Sequence, residues 1–179
     1  MDKDQKPELA IVFDTGKQTD MGTGRVLQVY KNTSGRWRLW FKSTSVVLPS
    51  EHGGVSGDPL DGIEIIRGCI VVYHVGGSQQ KWSYTHKYRF QQNNWYLIGA
   101  TINNGAPCDS FENYDYNLST GMIVAKLTTE KCNDNDEPIK SKTDKFNFVV
   151  KPAKPILMQA FVPGETMVKV PGGNLEFYY

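Results

Sequence analysis

Glycines and carboxylates surround a single proline between residues 53 and 63, in the segment GGVSGDPLDGI. Asp58 and Asp61 stand three positions apart there, so their carboxylates could face a cation, a partner or backbone amides of the same loop. Glycine tolerates positive φ and close approach of other atoms, whereas proline fixes φ near about −65°. The pattern predicts a loop of defined shape, either a cation-binding loop or an Asx-turn scaffold joining two strands. Its structural residues are Gly53, Gly54, Gly57, Pro59, Gly62 and, after the next strand, Gly76 and Gly77.

Two further acidic groups occupy predicted turns, and they comprise Asp109, Glu112 and Asp115, and Asp134, Asp136 and Glu137. Calcium takes roughly six to eight oxygen ligands, which extracellular β-proteins often supply from such loops. None of the acidic groups matches the D-x-[DN]-x-[DN]-G loop, although DNDEP comes near it without the glycine. The sequence predicts no cofactor, with calcium as the one alternative, and the candidate calcium ligands are Asp58, Asp61, Asp134 and Asp136.

Nucleophilic catalysis has little support in this chain. The histidines are His52, His74 and His86, and no serine lies in a G-x-S-x-G elbow. Cys69 lies inside an apolar run, where a buried thiol is a poor nucleophile. The protein is predicted not to be an enzyme. A hydrolase that pairs His52 with Asp58 is the third function considered, after the two binding functions given below. His86, in mid-strand among aromatic residues, is predicted to be a partly exposed face residue.

Aromatic residues give binding a better argument. Trp37 and Trp40 differ by three positions, so they cannot both face the core of a regular strand, and at least one should be exposed. Trp95 is predicted to be a core residue. Exposed Trp and Tyr side chains suit sugar stacking or a hot spot for a protein partner. The predicted partner-binding residues are Trp37, Trp40, Trp82, Asp109, Glu112 and Tyr114.

Alternating apolar and polar residues predict strands throughout, and no stretch has a convincing helical period. Two hairpins are predicted, VLQVY–KNTSG–RWRLWF and KWSYTHKYRF–QQNN–WYLIGATI, with Trp37, Leu39 and Phe41 on one face. Further strands are predicted at 8–13, 63–75 with a turn at Arg67–Gly68, 122–128, 145–150, 156–161 and around MVKV, with turns at Pro163–Gly164 and 171–173. Residues 103–117 and 132–144 are interpreted as polar loops. The fold class is therefore mostly β: an antiparallel sheet meander, a sandwich or an incomplete propeller, with little helix.

Bulk composition narrows the classes of partner. The 179 residues carry a net charge of +1, which argues against nucleic acid or anionic membrane as the default partner. No apolar run approaches the roughly 18 residues of a membrane span, and the polar start MDKDQK is no signal peptide. We expect residues 1–7 to be a disordered stub or a trimmed export tether before a single domain at 8–179. The two alternatives for location are an exported protein whose signal has been removed and a cytosolic protein. Cys108 and Cys132 could form a bridge, and Cys69 is predicted to be a buried free thiol.

A family resemblance covers residues 46–127. The segments GGVSGDPLDGIEI, YHVGGSQQKWSYTHKYRFQQNNWYLIGATI and DYNLSTGMIVAKL resemble a poorly characterised family of bacterial exported or lipid-anchored β-rich proteins, described loosely as FG-GAP-like. The resemblance implies an address in the periplasm or at the cell surface, a lipid anchor on the precursor and a mostly β fold. It brings no catalytic residues. The chain departs from the pattern at Gln79–Gln80 and at Cys108.

The sequence thus predicts a non-enzymatic extracytoplasmic binding protein that engages a protein partner, in the manner of an inhibitor or immunity protein. The alternative is a carbohydrate or cell-wall binding domain. The exposure of the aromatic rings discriminates between them, because two coplanar rings in a groove favour a sugar, while an aromatic in a convex patch favours a protein.

Overall fold

Strands make up most of the computed structural model, which describes residues 6–170 and 175–179. In chain order, the strands of these residues are β1 (Glu8–Thr19), β2 (Gly22–Thr33), β3 (Arg36–Ser43), β4 (Leu60–Ile66), β5 (Cys69–Gly77), β6 (Lys81–Gln91), β7 (Asn94–Gly105), β8 (Ser110–Asn117), β9 (Met122–Cys132), β10 (Pro138–Val149), β11 (Met167–Lys169) and β12 (Glu176–Tyr178). Single turns of 3-10 helix occur at Gly54–Ser56 and Met158–Ala160. The predicted mostly β class is confirmed, and the turn predicted at 171–173 lies outside the described residues.

The large sheet is a seven-stranded antiparallel meander with the order β10-β9-β8-β7-β6-β5-β4. Each strand pairs with its neighbour in the chain because short turns connect them. Arg67 and Gly68 have φ values of 50° and 75° and form the predicted turn between β4 and β5. Gln92 and Asn93 turn the chain between β6 and β7 with φ values of 48° and 63°. These turns allow the meander that the hairpin pattern predicts.

The core lies between the large sheet and two smaller layers. The small sheet, with order β1-β2-β3, contributes Leu27 and Val29 to the buried cluster that also contains Trp95 of β7. The carboxyl-terminal segment covers the other half, where Phe177 of β12 stacks on Tyr114 of β8 with ring centroids 4.3 Å apart. The molecule is therefore a β sandwich whose second layer is built from two separate pieces of chain.

Three predictions about local structure are wrong. Residues 103–117 and 132–144 are mostly strand rather than loop, since β7 and β8 leave only a short turn between them and β10 starts at Pro138. β10 is an edge strand exposed along almost its whole length, so it lacks the apolar alternation by which strands are recognised. Residues 156–161 form one bridge and a 3-10 turn instead of a strand. Within the described residues, no helix has the length and apolarity that crossing a bilayer demands.

Candidate functional site

The glycine-rich loop before β4 is a rigid connection between the two sheets. The Gly53 amide donates to the Gly57 carbonyl at 3.1 Å, and the Gly77 amide donates to the Gly53 carbonyl at 2.9 Å. On the other side, the Ser50 amide donates to the Thr23 carbonyl at 3.1 Å. Backbone hydrogen bonds thus tie the loop to the end of β5 and to β2, which gives it a defined shape.

Asp58 fastens this loop through an ion pair with Arg25 of β2. The Arg25 guanidinium donates to both carboxylate oxygens of Asp58, at 2.6 Å from Nη1 to Oδ1, and its Nε donates to Asp14 at 3.2 Å. The Leu60 amide also donates to Asp58 Oδ1, at 2.8 Å. The hydrogen bonds from Arg25 lower the pKa of the Asp58 carboxyl below its ordinary value. Asp58 is therefore an anchor that joins the loop to the small sheet.

The four candidate calcium ligands do not form one group, because β4 and the turn between β9 and β10 lie at opposite edges of the large sheet. Asp58 is paired with Arg25, and Asp61 is exposed on β4. Asp134 and Asp136 are exposed in the turn between β9 and β10. The backbone amides of Asn135 and Glu137 in this turn donate to Asn133 Oδ1. In the part of the chain that the structure describes, no three His, Cys, Asp or Glu side chains are grouped to hold a metal ion.

The outer face of the small sheet carries a row of large apolar side chains. Leu27 and Val29 of β2 point into the core, so the alternating residue Tyr30 points outward. The cross-strand partners of Tyr30 are Leu9 on β1 and Leu39 on β3. A row of three large side chains therefore crosses all three strands, with Leu9 38% and Leu39 51% exposed.

Phe13 and Trp37 extend this row along the outer strands. Phe13 lies four positions after Leu9 on the same face of β1 and is 42% exposed, while Trp37 lies two positions before Leu39 and is 47% exposed. We refer to Leu9, Phe13, Tyr30, Trp37 and Leu39 as the apolar face. Ile11 lies between Leu9 and Phe13 on this side of the sheet, which also carries the polar residues Gln28, Asn32 and Lys42.

The outer face of the large sheet is polar at its centre and carries apolar residues toward β10. Asn103 donates from Nδ2 to Ser83 Oγ at 2.9 Å, and Asn113 donates from Nδ2 to Asn103 Oδ1 at 2.6 Å. The next row pairs Thr101 with Asp115. The same face also carries Phe111, Met122 and Val149, which are 38%, 43% and 55% exposed. The small sheet differs because its large apolar side chains form one row across all three strands.

Strand β3 forms a basic edge beside the apolar face. It is the last strand of the small sheet, and its exposed charged residues are Arg36, Arg38 and Lys42, with no acidic residue in the strand. Charged side chains on an edge strand discourage pairing with an identical strand.

Trp37 and Trp40 have different environments. Trp37 lies on the apolar face, whereas Trp40 packs edge-on against Phe90 and Trp95 with centroids 4.5 and 5.5 Å apart. The expectation that at least one of the two is exposed is confirmed, as is the burial of Trp95. A bulge at Trp40 reverses the alternation and turns Phe41 toward the core. The prediction that Phe41 shares the face of Trp37 is therefore wrong.

The other partner-binding candidates are dispersed. Tyr114 is fully buried under Phe177, so it belongs to the core and contacts no partner. Its hydroxyl donates to half-buried Glu112 at 3.2 Å. Asp109 is exposed and borders a polar recess of about 710 Å³ near Ser78–Gln80. None of these three lies on the apolar face.

Trp82 lies at the end of β6 next to the glycine-rich loop. Its ring stacks on Tyr84, with centroids 4.9 Å apart and an interplanar angle of 29°. The residue paired with it on β5 is Gly76, where a Cβ atom would lie 2.3 Å from Cζ2 of the Trp82 ring. Glycine at position 76 is thus required for the ring to lie across β5. Both rings line a groove of about 280 Å³ that also contains His52 and Glu165.

His74 and His86 are fully buried on neighbouring strands. The Leu48 amide donates to His74 Nε2 at 3.2 Å, whereas neither ring nitrogen of His86 has a hydrogen-bond partner among the described residues. The predicted partial exposure of His86 is wrong because Phe161 covers its ring, with centroids 4.8 Å apart. Burial lowers the pKa of His74 to about 4 and that of His86 to about 3. Both imidazoles are therefore neutral at pH 7.

Cys108 and Cys132 form a disulfide, while Cys69 is a buried free thiol as predicted. The disulfide ties the turn between β7 and β8 to the end of β9. Such bonds persist mainly in oxidising compartments.

Sequence reasoning missed most of the apolar face. A signal existed in β1, where LAIVF places apolar residues at five successive positions, 9 to 13, and so on both faces of the strand. One face of such a strand enters the core, and the other must be covered by another element or remain exposed. The sequence also contained no local signal that would bring Glu165 to Trp82.

Comparison with known proteins finds no match, either to a family model, to a curated protein or to a solved structure. The resemblance to the exported β-rich family therefore stays a prediction.

Proposed function

We propose that the protein is a non-enzymatic binding module that engages a protein partner through its apolar face. The observation that carries this proposal is the row Leu9–Tyr30–Leu39, extended by Phe13 and Trp37, with exposures between 38% and 51% for its aliphatic, Phe and Trp members. Soluble proteins rarely leave contiguous apolar surface exposed unless it contacts another molecule. Trp and Tyr are also the side chains most enriched at the energetic centres of interfaces.

The charge of β3 indicates the chemistry of the partner. Lys42 lies on the same side of the sheet as the apolar face, while Arg36 and Arg38 alternate with Trp37 and Leu39 and point to the other side of this edge strand. An interface commonly combines an apolar centre with a polar, complementary rim. We therefore infer a partner whose apolar surface is accompanied by carboxylates that reach the β3 edge. A second copy of this chain suits the site poorly, because pairing β3 with β3 would bring like charges together.

An extracytoplasmic setting, with an inhibitor-like or immunity-like role, belongs to the same proposal. The Cys108–Cys132 disulfide supports it, since such bonds are rare in the reducing cytosol.

The test replaces two residues of the apolar face and measures partner binding. Trp37→Thr with Leu39→Thr keeps β-forming residues on β3 but removes two large apolar contacts. The matched control is Val149→Thr on β10, because Val149 is 55% exposed and belongs to the other sheet. Proteins retained from extract of the source cells by the immobilised wild-type chain are identified, purified and titrated against all three proteins.

Loss of two such contacts at an interface costs about 3 kcal/mol or more, so the double variant should bind at least a hundredfold more weakly. The control variant should bind like the wild type. Added salt should slow association with the partner by screening the basic residues of β3. Equal retention of every captured protein by the double variant would refute the proposal. Sedimentation equilibrium that shows dimerisation lost with the double variant would replace the partner by a second copy.

A further inference from the structure

The groove at the end of β6 is a second surface with the composition of a ligand site. It has a volume of about 280 Å³, near the lower end of the range of about 300–1,000 Å³ for small-molecule sites. One wall is formed by Trp82 and Tyr84, and the opposite side by the segment 162–165 and by His52 of the glycine-rich loop. The groove therefore combines aromatic surface with two side chains that form hydrogen bonds.

The two rings stack on one another. They belong to alternate residues of one strand and are nearly parallel, at 29°, with centroids 4.9 Å apart. Both rings are half-buried, so their positions are set by the fold while part of their surface borders the groove. Aromatic surface of this kind suits the apolar side of a ring-shaped ligand.

Backbone packing fixes the walls before any ligand arrives. Trp82 lies against Gly76, and Gly164, with φ +79°, approaches the Tyr84 hydroxyl so closely that a Cβ there would lie 3.3 Å from it. The carbonyl of Gly53, the residue after His52, accepts the amide of Gly77 at 2.9 Å. A site on such constrained elements loses little conformational freedom on binding.

The lining excludes two classes of ligand. Among the residues that the structure describes, no Lys or Arg lines the groove, and Glu165 adds a carboxylate, so phosphate-bearing and acidic ligands would be repelled. Recognition of a quaternary ammonium requires aromatic faces around the cation, as in an aromatic cage. Here the rings are nearly parallel and lie on a single strand, so they do not surround a central point.

We propose that this groove binds a neutral pyranose ring. The C–H groups on one side of the sugar would pack against the aromatic surface that the Trp82–Tyr84 stack presents to the groove, while its hydroxyl groups would form hydrogen bonds with the Glu165 carboxylate and the His52 imidazole. The site is separate from the apolar face and does not depend on the proposed protein partner, because it lies on β6 and not on the small sheet.

Nuclear magnetic resonance titration of the full chain tests the proposal. The probes are methyl pyranosides of glucose, galactose, mannose and N-acetylglucosamine, with tetramethylammonium and glucose 6-phosphate for comparison. One or more of the neutral pyranosides should shift the indole signal of Trp82 and the amides around His52 and Glu165. The indole signals of Trp37 and Trp95 should stay in place.

Variants supply the quantitative measurement. Trp82→Ala and Glu165→Gln should each weaken pyranoside binding at least tenfold, and Phe146→Ala, which changes an exposed aromatic residue of β10 outside the groove, should leave it unchanged. Glu165 is exposed, so its replacement tests the site even if Trp82→Ala fails to fold. Absence of shifts with all four pyranosides, shifts remote from the groove, or saturation by tetramethylammonium alone would overturn the proposal.

Discussion

Mild acid should destabilise this protein through its two buried histidines. His74 and His86 are fully buried and neutral in the folded protein, with the pKa lowered to about 4 and about 3. In the unfolded chain both imidazoles regain a pKa of about 6.5. The unfolded state therefore binds more protons below pH 6.5, and stability must fall as the pH is lowered toward the folded-state pKa values.

The magnitude follows from these pKa values. At pH 7 only a small fraction of unfolded-state histidine is protonated, whereas at pH 5 it is nearly all protonated and the folded-state histidines remain neutral. The free energy of unfolding should drop by about 2 kcal/mol for each histidine between pH 7 and pH 5, or about 4 kcal/mol together. Domains of this kind have total stabilities of about 5–15 kcal/mol, so the loss is large.

Urea unfolding of the oxidised protein at pH 7, 6 and 5 measures this loss, and His86→Met assigns it. Methionine fills the site with an adaptable apolar side chain, and it removes two ring nitrogens that have no partner among the described residues. The variant should match or exceed the stability of the wild type at pH 7 and lose only about half as much at pH 5. The pKa of Asp58 is lowered, so its ion pair contributes above pH 4 and does not interfere in this range.

Two results would refute this reasoning. The first is a change of less than about 1 kcal/mol in the wild type between pH 7 and pH 5, which would mean that the folded protein takes up the protons as readily as the unfolded chain. The second is an undiminished acid loss in His86→Met, which would place the proton uptake elsewhere. In His86→Met, His74 should account for the remaining loss of stability at pH 5, since it stays buried and keeps the hydrogen bond from the Leu48 amide.

Three further substitutions test the supports of the loop and the sandwich. Asp58→Asn leaves Arg25 with one carboxylate partner, Asp14. Because Asp58 is 51% exposed, the free energy of unfolding in urea at pH 7 should fall by about 1–2 kcal/mol. The difference from the wild type should shrink as the pH falls through the lowered pKa of Asp58. Replacing Cys108 and Cys132 by Ser opens a loop with a sequence separation of 24, for which chain entropy gives a loss of about 3 kcal/mol, measured against the oxidised wild type. Gly76→Ala brings a methyl group into the Trp82 ring, so the indole signal of Trp82 should move and stability should fall by about 1–3 kcal/mol.

The sequence allowed the meander to be predicted where each strand has one apolar and one polar face. The hairpin of β6 and β7 was clear because Trp95 and Leu97 alternate toward the core and a polar turn separates the strands. β10 lacked that pattern because an edge strand with both faces exposed needs no apolar residues. The burial of His86 depends on Phe161, 75 positions later, and no local pattern reports such a contact.

The candidate sites were predictable to different degrees for the same reason. Trp37 and Trp82 were evident as aromatic candidates, but whether a ring reaches solvent depends on what the rest of the chain places over it. Trp40 differs from Trp37 because it lies three positions later, on the opposite side of β3, where it packs on Phe90. Trp82 belongs to a candidate site because the fold brings Glu165, from a distant part of the chain, to the same groove.

The cross-strand row on the outer face of the small sheet is the strongest argument that this chain is built to bind. Leu9, Tyr30 and Leu39 meet there from three strands, whereas the centre of the large sheet carries a hydrogen-bonded row through Ser83, Asn103 and Asn113. Polar residues at positions 9 and 39 would serve the fold equally well, because side chains that point away from the core contribute little to its packing. Exposed apolar residues also raise the risk of aggregation. Their presence is best explained by a partner that covers them.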